Sequence, residues 1–324
     1  MSAKSETPPW GMVADIGGTN TRFATIDEKG SIGRTRTLAT GDHPTLAKAV
    51  AAYVAEMGLE RAPTRAALAV ASPVTGDTVT FTNHPWSFRI SELRDAFSFE
   101  RLEVVNDFTA NALALPHLEA KGLFALGEGK PVCDAPRGVL GPGTGLGVSG
   151  LIRAGGRWIA LPGEGGHVTM APADRRETEV LDHMMRRFGH VSAERVLSGQ
   201  GLVNLYGSLA EIAGVPTEQY SPPQITDSEI RKREPLCEEA FQMFCAMLGT
   251  VAGNLALTLG ARGGIYIAGG IVPHLGAEFA ETSFRARFEE KGRFRDYLKA
   301  IPTYVVTDPV PAFRGLAALL KDRD

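Results

Sequence analysis

The sequence is poor in cysteine, with three in 324 residues: Cys133, Cys237 and Cys245. Their odd count and wide spacing exclude a disulfide framework and a zinc ribbon, and fit a reducing compartment. A surplus of basic charge is also lacking. With a formal net charge of -3 and its Lys and Arg scattered, the chain offers no electrostatic footprint for nucleic acid or for an anionic membrane. No uninterrupted apolar run reaches the ~18 residues of a membrane span, and residues 1–9 are polar, without the apolar core of a signal peptide. These absences predict a cytoplasmic globular protein, and a composition of 44% hydrophobic and 22% charged residues over this length allows two domains.

What the sequence has in plenty is glycine, placed in turns between β-favouring runs. Residues 13–26 (VADIGGTNTRFATI) read as a hairpin whose tip is Gly17-Gly18-Thr19-Asn20. Glycines there let the backbone reach left-handed φ and clear space for a ligand, while Thr19 and Asn20 add donors beside backbone N–H groups, a concavity suited to phosphate. Asp15, just before the tip, would repel a bare phosphate but hold a phosphate-bound Mg²⁺ through water. An ordinary glycine-turn hairpin is the competing reading. Residues 138–152 repeat the device as strand, Gly143-Thr144-Gly145 turn and strand, which suggests an internal duplication with a nucleotide held between the halves. Residues 145–150 also match G-x-G-x-x-G, but no helix pattern follows, so a dinucleotide fold is set aside; Gly129-Lys130 is followed by Pro131 and is not a Walker A loop.

Strands and helices alternate around these hairpins. Pro44 marks the first position of a helix whose stripe, Leu46, Ala49, Val50, Tyr53, Val54 and Met57, stops at Gly58. Residues 65–71 form a buried strand, and residues 78–82 another that leads into Asn83-His84-Pro85-Trp86, where His84 reads as loop structure rather than a ligand. Residues 102–105 are a strand ending in Asn106-Asp107 before a helix over 108–115. Polar residues at that place occupy the position where open α/β sheets put ligands and catalytic groups. The competing reading has Asp107 capping the helix.

Glu164 and His167 lie in a glycine-rich loop and offer acceptors and a donor suited to a polyol; the alternative, a zinc pair, has no further His or Cys at ligand spacing. A helix from about 174 to 188 carries Val180, Leu181, Met184 and Phe188 inward, with His183, Arg186 and Arg187 on its solvated face, and ends at Gly189. Ser192 as N-cap puts Glu194 in a first turn, where a carboxylate is favourable whether or not it touches a ligand. Residues 235–260 are a core helix that buries Cys237 and Cys245. Residues 263–273 read as a strand closed by Gly269-Gly270, where backbone would lie flat against a base or ribose. A strand over 304–306 and a helix over 312–320 finish the chain.

Six segments, residues 15–22, 106–110, 141–147, 163–167, 192–199 and 264–273, together resemble the bacterial glucokinase family, in order and over nearly the whole chain. The resemblance implies an α/β protein with the two-domain actin-like ATPase (hexokinase-type) fold and a cleft between domains. The expected division is residues 1–117 plus 308–324 for a small domain, closed by the returning C-terminal helix, and 118–307 for a large one. It further implies an ATP:hexose 6-phosphotransferase that makes glucose 6-phosphate, with ATP and Mg²⁺ as cofactors. The nucleotide would lie against Asp15, Gly17, Gly18, Thr19, Asn20, Gly143, Thr144, Gly145, Gly269 and Gly270, with Asp15 holding Mg²⁺ through water. Asn106, Glu164, His167 and Glu194 would contact glucose, Asp107 would be the base, and the enzyme would be a homodimer. A kinase for another hexose and a non-kinase actin-like ATPase remain as alternatives. The chain departs from the family pattern at residues 309–316 (PVPAFRGL), where a more glycine- and leucine-rich helix start is expected. It also lacks the Cys and His zinc cluster of the related repressor and sugar-kinase family, and leaves no room before Val13 for DNA-binding helices.

Overall fold

Strands Gly11–Ile16 and Asn20–Ile26 pair antiparallel as the opening hairpin in the computed structural model, which describes residues 9–82 and 84–322; Asn83 lies outside the described residues. The chain divides into two compact units, Met1–Leu118 with Pro309–Asp324, and Glu119–Asp308.

The first unit is built on a five-stranded sheet in the order Ile32–Ala39, Asn20–Ile26, Gly11–Ile16, Arg65–Val70, Arg101–Asn106. The last three strands run parallel, with Ile16 opposite Val70 and Val70 opposite Asn106, so their carboxyl ends are level. Period-two alternation sends Met12, Ala14 and Ile16 to one face and Val13 to the other. The first face is covered by the helix Leu46–Glu56 through Leu46, Ala49, Val50 and Tyr53. That helix begins at Leu46, two residues later than the expected start at Pro44, because the Thr45 side chain accepts the Lys48 N–H and takes the N-cap. The second face carries the C-terminal helix Pro311–Lys321, whose Phe313, Leu316 and Leu320 are buried there and which packs along the helix Asp107–Ala114.

The second unit repeats the arrangement. A hairpin of Arg137–Pro142 and Leu146–Ala154 again has a parallel strand, Ile265–Ile267, beside its first arm, as Arg65–Val70 lies beside Gly11–Ile16. The full order is Arg157–Leu161, Leu146–Ala154, Arg137–Pro142, Ile265–Ile267, Thr303–Val306, Leu123–Leu126. The core is organised around the helix Pro235–Leu259, which by length and composition could cross a membrane but whose most apolar window is 78% buried inside the protein. Cys237 and Cys245 are buried in it, and Cys133 is exposed.

Several expected elements are shorter. The strand over 78–82 stops at Thr80 and pairs only with Ser87–Arg89, and the strand over 263–273 spans Ile265–Ile267, with residues from Val272 onward turning helical. His183 is not on a solvated face. The helix Arg175–Phe188 packs against Gly199–Ala213, which puts His183 Nε2 3.1 Å from Glu211 with 24% of its side chain exposed.

One contact fixes the C-terminal helix on the first unit. A Cβ at Gly315 would sit closer to the Ala110 carbonyl oxygen than any real Cβ does, and a backbone atom cannot yield as a flexible side chain can. Gly315→Ala should therefore destabilise the protein by about 1–3 kcal/mol or more, read as a lower urea midpoint at unchanged m-value.

Candidate active site

The level carboxyl ends of the three parallel strands carry Asp15, Asn106 and Asp107. Asn106 settles the competition for the helix cap: its Oδ1 accepts the N–H of Phe108 at 2.9 Å and of Thr109 at 3.3 Å. Its amide nitrogen donates to the Ser72 carbonyl at 3.4 Å, which fixes the ring-like cap against the end of the neighbouring strand. Asp107, the first helical residue, shares the Phe108 N–H, at 2.9 Å. Burial, then the charge of Asp15, push the Asp107 carboxyl up to about 7, against the lowering effect of those local hydrogen bonds. Asp15 is itself pushed up by burial although 31% of its side chain meets solvent, and the Arg22 guanidinium 4.0 Å away pulls the other way. Two carboxyls thus share this end of the sheet, one of them holding its proton near neutral pH.

The tip of the first hairpin differs from expectation in its backbone. Gly17 does not adopt left-handed φ; its N–H donates to the Asn20 carbonyl at 3.0 Å, and a Cβ there would lie 3.2 Å from that oxygen. The glycine serves a close turn, not a special dihedral angle. Thr40 braces the tip from below, its hydroxyl donating to the Gly17 carbonyl at 3.0 Å and its N–H to that of Thr19 at 2.9 Å, which leaves the Thr19 and Asn20 side chains exposed.

In the second unit, the Gly143 N–H donates to the Gly145 carbonyl and the Gly199 N–H to the Gly143 carbonyl, both at 2.8 Å. Gly269 does take left-handed φ, +83°, and a Cβ on it would lie 2.5 Å from the Pro142 carbonyl, so Gly269-Gly270 is pressed against the root of the same turn. Glu194 is more than a first-turn acid: its Oε2 accepts the Leu146 N–H at 2.8 Å, across 48 residues of chain. Thr144, His167, Glu194, Arg195 and Gln200 line one cavity of about 430 Å³. Glu164 is exposed, pairs through its backbone with Val148 and accepts the His167 N–H at 3.0 Å, in the loop that leads to the cavity but not in its lining. Among the described residues no group of three His, Cys, Asp or Glu is placed to hold a metal, so Glu164 and His167 have no third partner for zinc.

The candidates therefore fall into two sets. Asp15, Gly17, Gly18, Thr19, Asn20, Asn106 and Asp107 lie on the first unit, while Gly143, Thr144, Gly145, Glu164, His167, Glu194, Gly269 and Gly270 lie on the second. Sequence reasoning missed Ser72, Thr40, Arg195 and Ser198. Of these, only Ser198, a serine directly before a glycine at a helix start, carried a local signal: its hydroxyl caps Gly201 and donates to the Glu194 carbonyl at 2.9 Å.

Two α/β units, each with a glycine-tipped hairpin and a parallel strand at its side, define a sugar kinase of the actin-like ATPase fold. Glucokinase from an Antarctic psychrotroph shares it with a TM-score of 0.86 at 35% identity, covering 96% of this chain and 98% of that one. Glucokinase from Balamuthia mandrillaris, solved in complex with glucose, shares the fold with a TM-score of 0.80 at 22% identity, over 99% of this chain and 96% of its own. The family model Glucokinase matches residues 12–323. A glucokinase of Paramagnetospirillum magneticum (strain ATCC 700264 / AMB-1) is 52% identical over 312 residues, 96% of this chain and 97% of that protein. The chain belongs to the glucokinase family and is an enzyme with glucokinase activity, which sets aside the non-kinase ATPase alternative.

The raised Asp107 carboxyl has a stability consequence. From its ordinary 3.8 it moves to about 7 on folding, so between those values the folded protein binds the proton that the unfolded chain releases. Its contribution is full below about pH 4 and is lost as pH rises to about 7. Asp107→Asn, which stays neutral, should melt progressively higher than the wild type as pH rises from 5 to about 7, with a constant gap above that; melting curves across this range check it.

Proposed function

We propose that the protein phosphorylates glucose at its 6-hydroxyl with ATP, with Asp107 as general base. The observation that carries this is a carboxyl released from capping by Asn106 and titrating at about 7, near the operating pH where a base is most effective. Asn106, Glu164, His167 and Glu194 hold the sugar hydroxyls. Gly17, Gly18, Thr19 and Asn20, and Gly143, Thr144 and Gly145, are the proposed contacts of the phosphates, and Gly269 and Gly270 those of the nucleoside.

A divalent cation fits this donor set, because Asp15 is a desolvated carboxyl beside the like charge of Asp107 with one guanidinium 4.0 Å away to balance it. Asp15, through water, would hold Mg²⁺ together with the phosphates of ATP, and the ion would supply charge neutralisation there. The chain's own part is different. Phosphoryl transfer has a loose transition state, so the sugar oxygen needs little activation; Asp107 orients the hydroxyl and accepts its proton as the new P–O bond completes. The sugar contacts spend binding energy on orientation, which turns a bimolecular encounter into a positioned one.

Asp107→Asn should lower kcat by roughly 10² to 10⁴ with glucose KM little changed, and should abolish the acid limb near pH 7 in the wild-type rate profile. A folded variant with near wild-type kcat refutes the base assignment. Glu164→Gln should raise KM for glucose far more than KM for ATP. Equal effects on both substrates would remove Glu164 from the sugar site.

A further inference from the structure

Glu194 and the segment that carries it are tied down by three hydrogen bonds, one of them to its carboxylate. Its Oε2 accepts the Leu146 N–H at 2.8 Å, its backbone carbonyl accepts the Ser198 hydroxyl at 2.9 Å, and Gly199 just beyond donates to the Gly143 carbonyl at 2.8 Å. The short helix Ala193–Val196 is thereby bracketed to the turn between strands Arg137–Pro142 and Leu146–Ala154. The volume that the carboxylate fills is the volume a side chain at residue 145 would need. A Cβ on Gly145 would fall on Glu194 Oε2 and 3.3 Å from Cδ, with no other atom inside 4 Å. Gly145 does not take left-handed φ, so the backbone itself would accept alanine; only the carboxylate forbids it.

A carboxylate has about four acceptor positions on two oxygens. With Oε2 engaged by Leu146, and with no donor to Oε1 among the described residues, the second oxygen is the one left for a ligand in the cavity that Glu194 lines. A glutamate fixed in this way need not be ordered when a ligand binds, which raises affinity by sparing side-chain entropy. We infer that Gly145 and the Leu146 amide are positioning groups for the sugar: they fix the Glu194 carboxylate in the orientation that accepts a sugar hydroxyl, and so set sugar affinity through a residue that the sugar touches rather than by touching it. This rests on the reading of Glu194 as a sugar ligand. It adds to the turn's proposed contact with phosphate an action that operates with no nucleotide bound.

The test is a double-mutant cycle in the full-length protein, with glucose affinity measured by titration calorimetry in the absence of nucleotide and melting temperature recorded for every variant. Gly145→Ala should weaken glucose binding about 10- to 100-fold, since the carboxylate must leave its rotamer to make room. In a Glu194→Ala background, where nothing is left to displace, the same substitution should change the dissociation constant by less than about twofold. Leu146→Pro removes the donor without adding an atom at residue 145, at the first residue of a strand where proline is tolerated, and should show the same dependence on background if Gly145→Ala fails to fold. Unchanged binding in Gly145→Ala, or an equal loss in both backgrounds, overturns the positioning role. A Glu194→Ala protein that binds glucose as tightly as wild type overturns instead the reading of Glu194 on which it rests, and a turn that acts on phosphate alone would leave all these nucleotide-free values unmoved.

Discussion

Two backbone N–H groups, those of Phe108 and Thr109, end on the side chain of Asn106, and that choice decides the chemistry of the residue beside it. A carboxylate that caps a helix is stabilised as an anion by the orphan donors and the macrodipole, which lowers its pKa. With the cap supplied by a neutral amide, burial and the neighbouring charge of Asp15 outweigh the local hydrogen bonds that Asp107 keeps. Neighbouring residues with nearly equal capping ability thus end in opposite roles. Register assigns them: Asn106 is the last paired residue of its strand, opposite Val70, so it is the residue whose extended φ and ψ suit an N-cap, while Asp107 is already helical.

In the second unit the governing constraint is an atom that is missing. Gly145 lets the Glu194 carboxylate reach Leu146, Gly166 lets the loop after Glu164 pass over the Leu146 carbonyl, and Gly269 lets a double glycine lie on Pro142. Three separate segments converge on one turn because one partner at each crossing lacks a Cβ. The crossings at Gly166 and Gly269 are rigid, since backbone meeting backbone at close-packed density leaves no rotamer through which strain can relax. A glycine in this role and a glycine at left-handed φ look the same in a sequence. Gly17 and Gly145 are the first kind, and Gly269 is both.

What was legible in the sequence is what depends on neighbours a few residues apart. The two hairpins, the N-cap Ser192, the helix stop at Gly189 and the long helix up to Gly260 follow from periodicity and turn chemistry alone. What was not legible depends on partners far away in the chain. His183 sits on the polar side of its helix by sequence spacing, yet a second helix brings Glu211 to it. Glu194 is explained locally by its helix dipole, and its bond to Leu146 appears only once the sheet is formed. Between Asn106 and Asp107 the residue types permit either cap, and only the placement of the flanking strand selects one.

The chain's departure at residues 309–316 bears on Asp107 through the same long-range logic. The C-terminal helix starts with Pro311 at its first turn, where a missing N–H costs nothing and a fixed φ favours the helix, so proline replaces the expected glycine-rich start without losing the element. Its other end is held by Arg101, whose guanidinium donates to the carbonyls of Leu319 and Leu320 at 3.2 Å and of Asp322 at 3.1 Å, satisfying the orphan acceptors of the last turn. Arg101 opens the very strand that ends in Asn106, and the helix begun by Asp107 packs along the C-terminal one with Gly315 at the crossing. Asp107 is therefore clamped at both ends of one supersecondary unit, by a cation on its strand and by a glycine against its helix, and residues more than 200 positions away in sequence fix where its carboxyl stands.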